Sequence, residues 1–149
     1  MRASPWTVWC MVLGFALGGV FDGILLHQIL QWHHLLSAIE GQSHLQVLWD
    51  GYFHGAMDIL TLVALWGLWR AHRTARDANG RLPAGALLIG FGAWHVADAV
   101  LAHWVLGLHH IRMDSDNPLL WDLIWLAAFG LVPLLAGWIL VRHRGRAAA

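Results

Sequence analysis

Four long apolar stretches constrain this chain more than any other feature of its sequence. They cover residues 6–30, 52–69, 84–108 and 119–141, and each approaches or exceeds the roughly 20 apolar residues that a helix needs to cross a hydrocarbon core. A bilayer offers the backbone no hydrogen-bond partners, so each stretch must satisfy its own peptide groups as a helix. The sequence therefore predicts an all-α membrane protein with four transmembrane helices.

Composition supports this fold class and excludes several functions. Of the 149 residues, 58% are hydrophobic and 12% are charged, whereas about a quarter of a soluble domain is charged. All nine basic residues are arginines without a dense run, so nucleic acid is not an expected partner. Cys10 is the single cysteine, which rules out an intramolecular disulfide and thiolate pairs. We expect one membrane domain, residues 1–149, in contact with the lipid bilayer.

The arginines predict the orientation of the chain. Eight of the nine basic residues fall at the two termini or around the linker at residues 71–83, namely Arg2, Arg70, Arg73, Arg76, Arg81, Arg142, Arg144 and Arg146. By the positive-inside rule both termini are then cytoplasmic. The alternative is a cleaved signal peptide beginning at Arg2, but the first apolar run continues through residues 23–26 and its motif recurs inside the chain.

The polar residues form an internal repeat. The spacing of an aspartate, a histidine and a His-His pair is identical in the first and third stretches, and each half then reaches the tripeptide Leu-Trp-Asp; the residues are Asp22, His27, His33, His34 and Asp50, then Asp98, His103, His109, His110 and Asp122. Each unit holds two spans, at about residues 6–70 and 84–141. We therefore predict two tandem two-helix repeats related by a pseudo-two-fold axis along the membrane normal.

This repeat gathers histidines and aspartates in the outer half of the membrane. Imidazole and carboxylate groups are common ligands of iron, oxidised copper and zinc. An aspartate at the centre of a span also raises the free energy of insertion unless it has a partner. The candidate metal ligands are Asp22, His27, His33, His34, Asp50, His54, Asp98, His103, His109, His110 and Asp122, with Asp58 and His95 as weaker candidates. On an α-helical wheel Asp22 and His33 share one flank, and His27 and His34 share another.

The number of metal sites follows less directly from the sequence. His54, Asp58 and His95 have no counterparts in the other half. This asymmetry favours one composite centre shared by both halves, although two similar half-sites also leave a dinuclear centre open.

The resulting functional hypothesis is a membrane protein that binds one or two transition-metal ions for redox chemistry, hydrolysis or metal handling, with an oxidoreductase favoured over a hydrolase. A homo-oligomer or a membrane redox partner is compatible with this interpretation. One alternative is an electron-transfer protein with haem b between His27 and His103. Others are a metal or proton permease and a structural hydrogen-bond network of aspartates and histidines.

Four segments carry a family resemblance: FDGILLHQILQWHH, WDGYFH, LGLHHIR and LWDL. They resemble a bacterial family of predicted membrane proteins of unknown function, which implies four spans in the bacterial inner membrane. The resemblance also implies motif positions at Asp22, His27, His33, His34, Asp50, His54, His103, His109, His110 and Asp122. Where that family tends to read Glu-Gly-x-x-Asp-His, this chain has Asp98-Ala-Val-Leu-Ala102-His103, so Ala102 departs from the pattern.

Overall fold

The part of the chain that the structure describes folds into four helices. A computed structural model describes residues 3–39, 43–72 and 80–142, and in these ranges the helices are α1 (Pro5–Ile29), α2 (Ser43–Ala71), α3 (Arg81–Val105) and α4 (Pro118–Arg142). The all-α prediction is thus confirmed. The linker predicted at 71–83 falls partly outside the described residues, because 73–79 are not among them.

Three of the helices are long and apolar enough to cross a membrane: α1, α3 and α4, each of 25 residues. Helix α2 has 29 residues but is not one of these three, and Asp50, His54 and Asp58 lie along its first 16 residues. It begins at Ser43, before the apolar stretch at 52–69. Hydropathy marks only the part of a helix that suits hydrocarbon, so it misses a polar helical end.

Helices α1 and α3 cross in close contact at two glycines, one on each helix. A Cβ on Gly14 would lie 2.0 Å from the carbonyl oxygen of Leu87, and a Cβ on Gly90 would lie 1.9 Å from that of Met11. Small residues let helix backbones approach this closely in membranes. The two contacts are reciprocal, because Met11 and Leu87 each precede the glycine of their own helix by three positions.

Three helices change their winding along their length. Helix α1 becomes a π-helix over Gly23–Ile29, α3 does so over Ala99–Val105, and α4 over Leu126–Leu131. Such segments are rare and frequently mark functional sites. In α1 and α3 the π-helical segment begins directly after Asp22 and Asp98, which places His27 and His103 inside it.

The outer surface is apolar while one end of the interior is polar. Ile59, Leu62 and Trp66 on α2 and Leu131 and Leu135 on α4 are more than half exposed, as expected for side chains that face lipid. The buried polar residues include Asp22, His27, His33, Asp50, His103, His109 and Asp122, each at 3% exposure or less. This end of the bundle positions the candidate site.

Candidate metal centre

The π-helical segments and the turns after them bring the repeat's histidines back onto its aspartates. The chain leaves the helix at Gln31 (φ 51°) in the first half and at Gly107 (φ 61°) in the second. Both residues adopt the left-handed conformation, which reverses the chain direction. His33 and His109 therefore fold back over His27 and His103.

The first candidate group contains Asp22, His27 and His33, whose ligand atoms lie within 4.8 Å of one another. We call it the first triad. The two Nε2 atoms of His27 and His33 are 3.1 Å apart. Nδ1 of His33 donates a hydrogen bond to the carbonyl oxygen of Ile111 at 2.9 Å. Because a carbonyl only accepts, the proton of His33 is on Nδ1 and its Nε2 presents a lone pair to the triad.

The α-helical wheel was wrong about this grouping. It separated His27 from Asp22 and His33, but the π-helical winding and the reversal at Gln31 rotate and fold the chain after Asp22. The wheel assumes one uninterrupted α-helix, which ends before His27.

The second triad contains Asp98, His103 and His109, again with ligand atoms within 4.8 Å. Nε2 of His103 lies 3.1 Å from Oδ2 of Asp98. The other ring nitrogen of His103, Nδ1, bonds to Oδ1 of Asp122 at 3.0 Å. If Asp122 is ionised it accepts that proton, and Nε2 of His103 then faces Asp98 with a lone pair.

Asp50 orients the first triad and is not among its three members. One of its carboxylate oxygens lies 3.2 Å from Nδ1 of His27 and accepts the backbone N–H of Leu35 at 2.8 Å. The other oxygen lies 2.6 Å from Nδ1 of His34. A carboxylate in this position fixes the tautomer and the ring orientation of a metal-binding histidine.

Asp122 makes the same three contacts in the second half. Its Oδ1 bonds to His103 at 3.0 Å and accepts the backbone N–H of Ile111 at 2.8 Å, and its Oδ2 bonds to His110 at 2.7 Å. His103, His110 and Asp122 thereby form a third group of metal-binding geometry. Since both oxygens of Asp122 already have partners, an orienting role describes it better than a ligand role.

The two triads touch through His33 and His109. These rings stack 4.3 Å apart with an interplanar angle of 7°. Each is 4.7 Å from the other histidine of its own triad, and the distances across, His27 to His109 and His33 to His103, are both 6.4 Å. Four imidazoles therefore form one cluster with matched halves.

No candidate metal group among the described residues takes atoms from both halves. This differs from the single shared centre that we expected. The aspartate and both histidines of a triad lie on one helix and the turn after it, so each half completes its own set.

Burial keeps the two stacked histidines neutral. Removal from water lowers the pKa of His33 to about 4, with the neighbouring His27 acting in the same direction. Burial also lowers the pKa of His109 well below its usual range, followed by the effect of His33. At neutral pH both rings are thus in the unprotonated form that binds metal.

His34, His110 and His54 border the triads. The side chains of His34 and His110 are 32% and 39% exposed and are held through Nδ1 by Asp50 and Asp122. His54 bonds through Nδ1 to the carbonyl oxygen of Asp50 at 2.6 Å. Its Nε2 is buried without a hydrogen-bond partner, and its ring is 5.9 Å from that of His27.

The two weaker candidates lie outside all three groups. His95 bonds through Nδ1 to the carbonyl oxygen of Phe91 at 3.0 Å and packs among aromatic rings, including Phe21 and Phe129. Asp58 is exposed on α2.

Sequence reasoning missed the backbone partners of the site. The Ile111 carbonyl fixes His33, and the N–H groups of Leu35 and Ile111 bind Asp50 and Asp122. No side-chain motif reports these contacts. Gln31 was also missed, although Gly107 at the equivalent repeat position is a signal for a left-handed turn.

Comparison with known proteins places the chain in a family without giving it an activity. Neither the curated proteins nor the solved structures gave a match. The model of one family covers residues 10–144, and its description is "Predicted membrane protein (DUF2243)". This confirms the resemblance drawn from the motif segments, and the chain belongs to this family of membrane proteins of unknown function.

Proposed function

We propose that this membrane protein binds two transition-metal ions, one in each triad, and uses them for redox chemistry. The observation that carries the proposal is one close contact between two possible ligand atoms in each triad, and in the tautomers favoured by Asp50 and Asp122 both atoms of each contact present lone pairs. In those tautomers the contacts are repulsive unless a proton or a metal ion lies between the two atoms.

In the first triad the contact is between Nε2 of His27 and Nε2 of His33, at 3.1 Å. His33 has its proton on Nδ1, held by the Ile111 carbonyl, and Asp50 beside Nδ1 of His27 favours the same tautomer there. Two imidazole nitrogens bound to one tetrahedral ion at 2.0–2.1 Å would be about 3.3 Å apart. The observed spacing is close to that value.

In the second triad the contact is between Nε2 of His103 and Oδ2 of Asp98, also at 3.1 Å. Asp122 holds the proton of His103 on Nδ1. A nitrogen and a carboxylate oxygen on one ion would have a similar separation. The same argument therefore applies to both halves with different atoms.

The composition of each triad favours iron. Two histidines and one carboxylate are the ligand set of non-haem iron sites that keep coordination positions open for oxygen or substrate. Zinc with two histidines and a carboxylate is the hydrolase alternative, and copper would also accept these donors. Cys10 belongs to none of the three groups found among the described residues.

The matched contacts also support the tandem repeat. Asp50 and Asp122 make equivalent bonds, and Gly14 and Gly90 make reciprocal helix contacts. We infer a duplicated two-helix unit whose pseudo-two-fold axis passes between the stacked rings of His33 and His109.

We further propose that α2 is the fourth span and that the triads face the exterior of the bacterial inner membrane. The exposed apolar side chains of α2 support its contact with lipid. The arginine distribution supports cytoplasmic termini, although Arg2, Arg73, Arg76, Arg144 and Arg146 lie outside the described residues. A membrane redox partner or a second copy would then deliver electrons to the site.

The rival functions fit the geometry less well. Haem between His27 and His103 would need the space that the stacked His33 and His109 rings occupy. A permease needs a polar path to the cytoplasm, but the cytoplasmic halves of the helices are almost wholly apolar. A structural hydrogen-bond network remains the main rival, with protons in place of the metal ions.

Metal analysis and absorption spectroscopy of detergent-purified protein test the proposal. We expect close to two ions per chain, chiefly iron, and no Soret band. Protein that stays folded without metal and takes up none from added Fe²⁺, Cu²⁺ or Zn²⁺ would support the hydrogen-bond network. A Soret band would instead support haem.

A further inference from the structure

An open cleft lies beside the first triad, between the end of α1 and the first half of α2. Its volume is about 440 Å³, and Gln28, Gln31, His34 and His54 supply much of its polar lining. His27 also lines the cleft, so the cleft reaches a member of the triad. Pockets for small molecules usually have volumes in this range.

The corresponding positions of the second half are apolar or lack a side chain. When the two halves are aligned on their Asp-His-His motifs, Gln28 corresponds to Trp104 and Gln31 to Gly107. When they are aligned on their Leu-Trp-Asp tripeptides, His54 corresponds to Leu126. Gly51, which also lines the cleft, corresponds to Leu123. The inner residues of the two triads match, whereas these bordering residues differ. The difference concentrates hydrogen-bonding groups on one side of an otherwise symmetric cluster.

Gln31 is held in a conformation that glycine adopts more easily. Its φ is 51°, and the equivalent residue, Gly107, has φ 61°. A residue with a β-carbon is strained in this region, and such strain clusters at ligand and active sites. A glutamine at this position suggests that its side chain has a role in the cleft.

The charges in the cleft indicate the kind of molecule that fits. No arginine or lysine is among its described lining residues, so an anion would find no fixed cation. Asp50 already faces His27, His34 and the Leu35 N–H, so it has little capacity left for a cation. The side-chain amides of Gln28 and Gln31, which are both exposed, suit hydrogen bonds to a neutral molecule.

We propose that this cleft binds a small uncharged molecule with hydrogen-bonding nitrogen or oxygen atoms, and that it gives such a molecule access to the first triad only. The inference rests on the proposed metal function for its catalytic meaning, but not for binding in the cleft. The small molecule then reaches the first triad, whereas the proposed ion of the second triad has no contact with that molecule.

Gly51→Leu tests the cleft directly, because it gives the first half the residue of the second. Nothing lies within 4 Å of a Cβ built on Gly51, and the same holds for Gly55 on the same helix. Gly55 is not among the lining residues, so Gly55→Leu is the matched control. Both changes replace a helical glycine and should leave the fold intact or more stable.

The probe is imidazole, titrated into Co²⁺-loaded protein at a pH above the pKa of imidazole and followed by the visible cobalt spectrum. We expect Gly51→Leu to weaken imidazole binding about tenfold or more, because the leucine side chain occupies part of the cleft. Gly55→Leu should bind as the wild type does. Gln31→Gly should weaken binding while the thermal unfolding midpoint stays equal or rises, since it relieves the strained φ.

Equal imidazole affinity in wild type and Gly51→Leu would overturn the cleft proposal. If the protein retains no Co²⁺, the proposed metal function fails, and the cleft is judged separately from the unfolding midpoint of the metal-free protein. An imidazole-dependent rise in wild type and Gly55→Leu that is absent in Gly51→Leu supports the cleft. No rise, or the same rise in all three proteins, contradicts it.

Discussion

At the scale of single residues, Asp50 and Asp122 connect the histidines to the rest of the fold. Each carboxylate is buried and contacts a triad histidine, a border histidine and a backbone N–H. They hold three separate segments in one geometry. The geometry of the triads therefore depends on residues that are not themselves triad members.

We expect Asp50→Asn and Asp122→Asn each to weaken metal binding about 10–100-fold, as the loss of an orienting carboxylate does. An amide keeps the size of the side chain but turns one acceptor into a donor. Metal affinity measured by competition with a chelator checks this. Asp114→Asn is the control, because Asp114 is exposed and bonds to Arg112; a loss there as large as at Asp50 would contradict the prediction.

Adjacent histidines should differ sharply in their effect on metal content. His33→Ala removes a buried member of the first triad, whereas His34→Ala removes a half-exposed ring held by Asp50. We expect His33→Ala to lose the ion of the first half and His34→Ala to keep most of it. Elemental analysis of the two purified variants decides, and the opposite order would refute our assignment of the ligands.

At the scale of the helices, the bundle is held by the crossing of α1 and α3 at Gly14 and Gly90. Each glycine faces a backbone carbonyl of the other helix. A side chain added at either glycine would collide with that carbonyl, which cannot move aside without shifting the helix. The crossing also sets the distance between the two π-helical segments that carry His27 and His103.

Gly14→Ala and Gly90→Ala should therefore destabilise the protein by about 1–3 kcal/mol or more, the usual cost of overpacking. Gly55→Ala should be neutral or stabilising by about 0.5–1 kcal/mol, because its Cβ meets nothing within 4 Å and alanine favours the helix. Thermal unfolding in one detergent compares them. Equal midpoints for all three variants would mean that α1 and α3 do not cross at these residues.

At the scale of the whole molecule, the two halves place their triads side by side in one cluster. Each triad takes its atoms from one half, but His33 and His109 are stacked at 4.3 Å. The unit of the proposed function is therefore a pair of neighbouring sites.

We expect Asp22→Ala and Asp98→Ala each to lose about one of the two ions, and the double variant to lose both. Losses add when sites are independent. Metal content of the wild type, both single variants and the double variant checks this. A double variant little worse than either single would restore the single shared centre.

The orientation of the molecule can be tested with single cysteines. Asp116→Cys, before α4, should react with an impermeant thiol reagent on intact cells, whereas His72→Cys, after α2, should react only after lysis. Native Cys10 is 3% exposed and should contribute little background. The reverse pattern would place the triads at the cytoplasmic face.

The sequence by itself determined the helical class, three of the candidate spans, the family and the residue types of the candidate site. These depend on local composition and spacing, since an apolar run of sufficient length has to be helical in a bilayer. The Asp-His-His repeat was readable for the same reason. The tertiary structure decided how those residues are divided. The π-helical winding after Asp22 and Asp98 moved the histidines off the α-helical wheel, and the Ile111 carbonyl fixed His33 from the other half of the chain. Such contacts arise between distant backbone groups, which have no signature in the identity of any one residue.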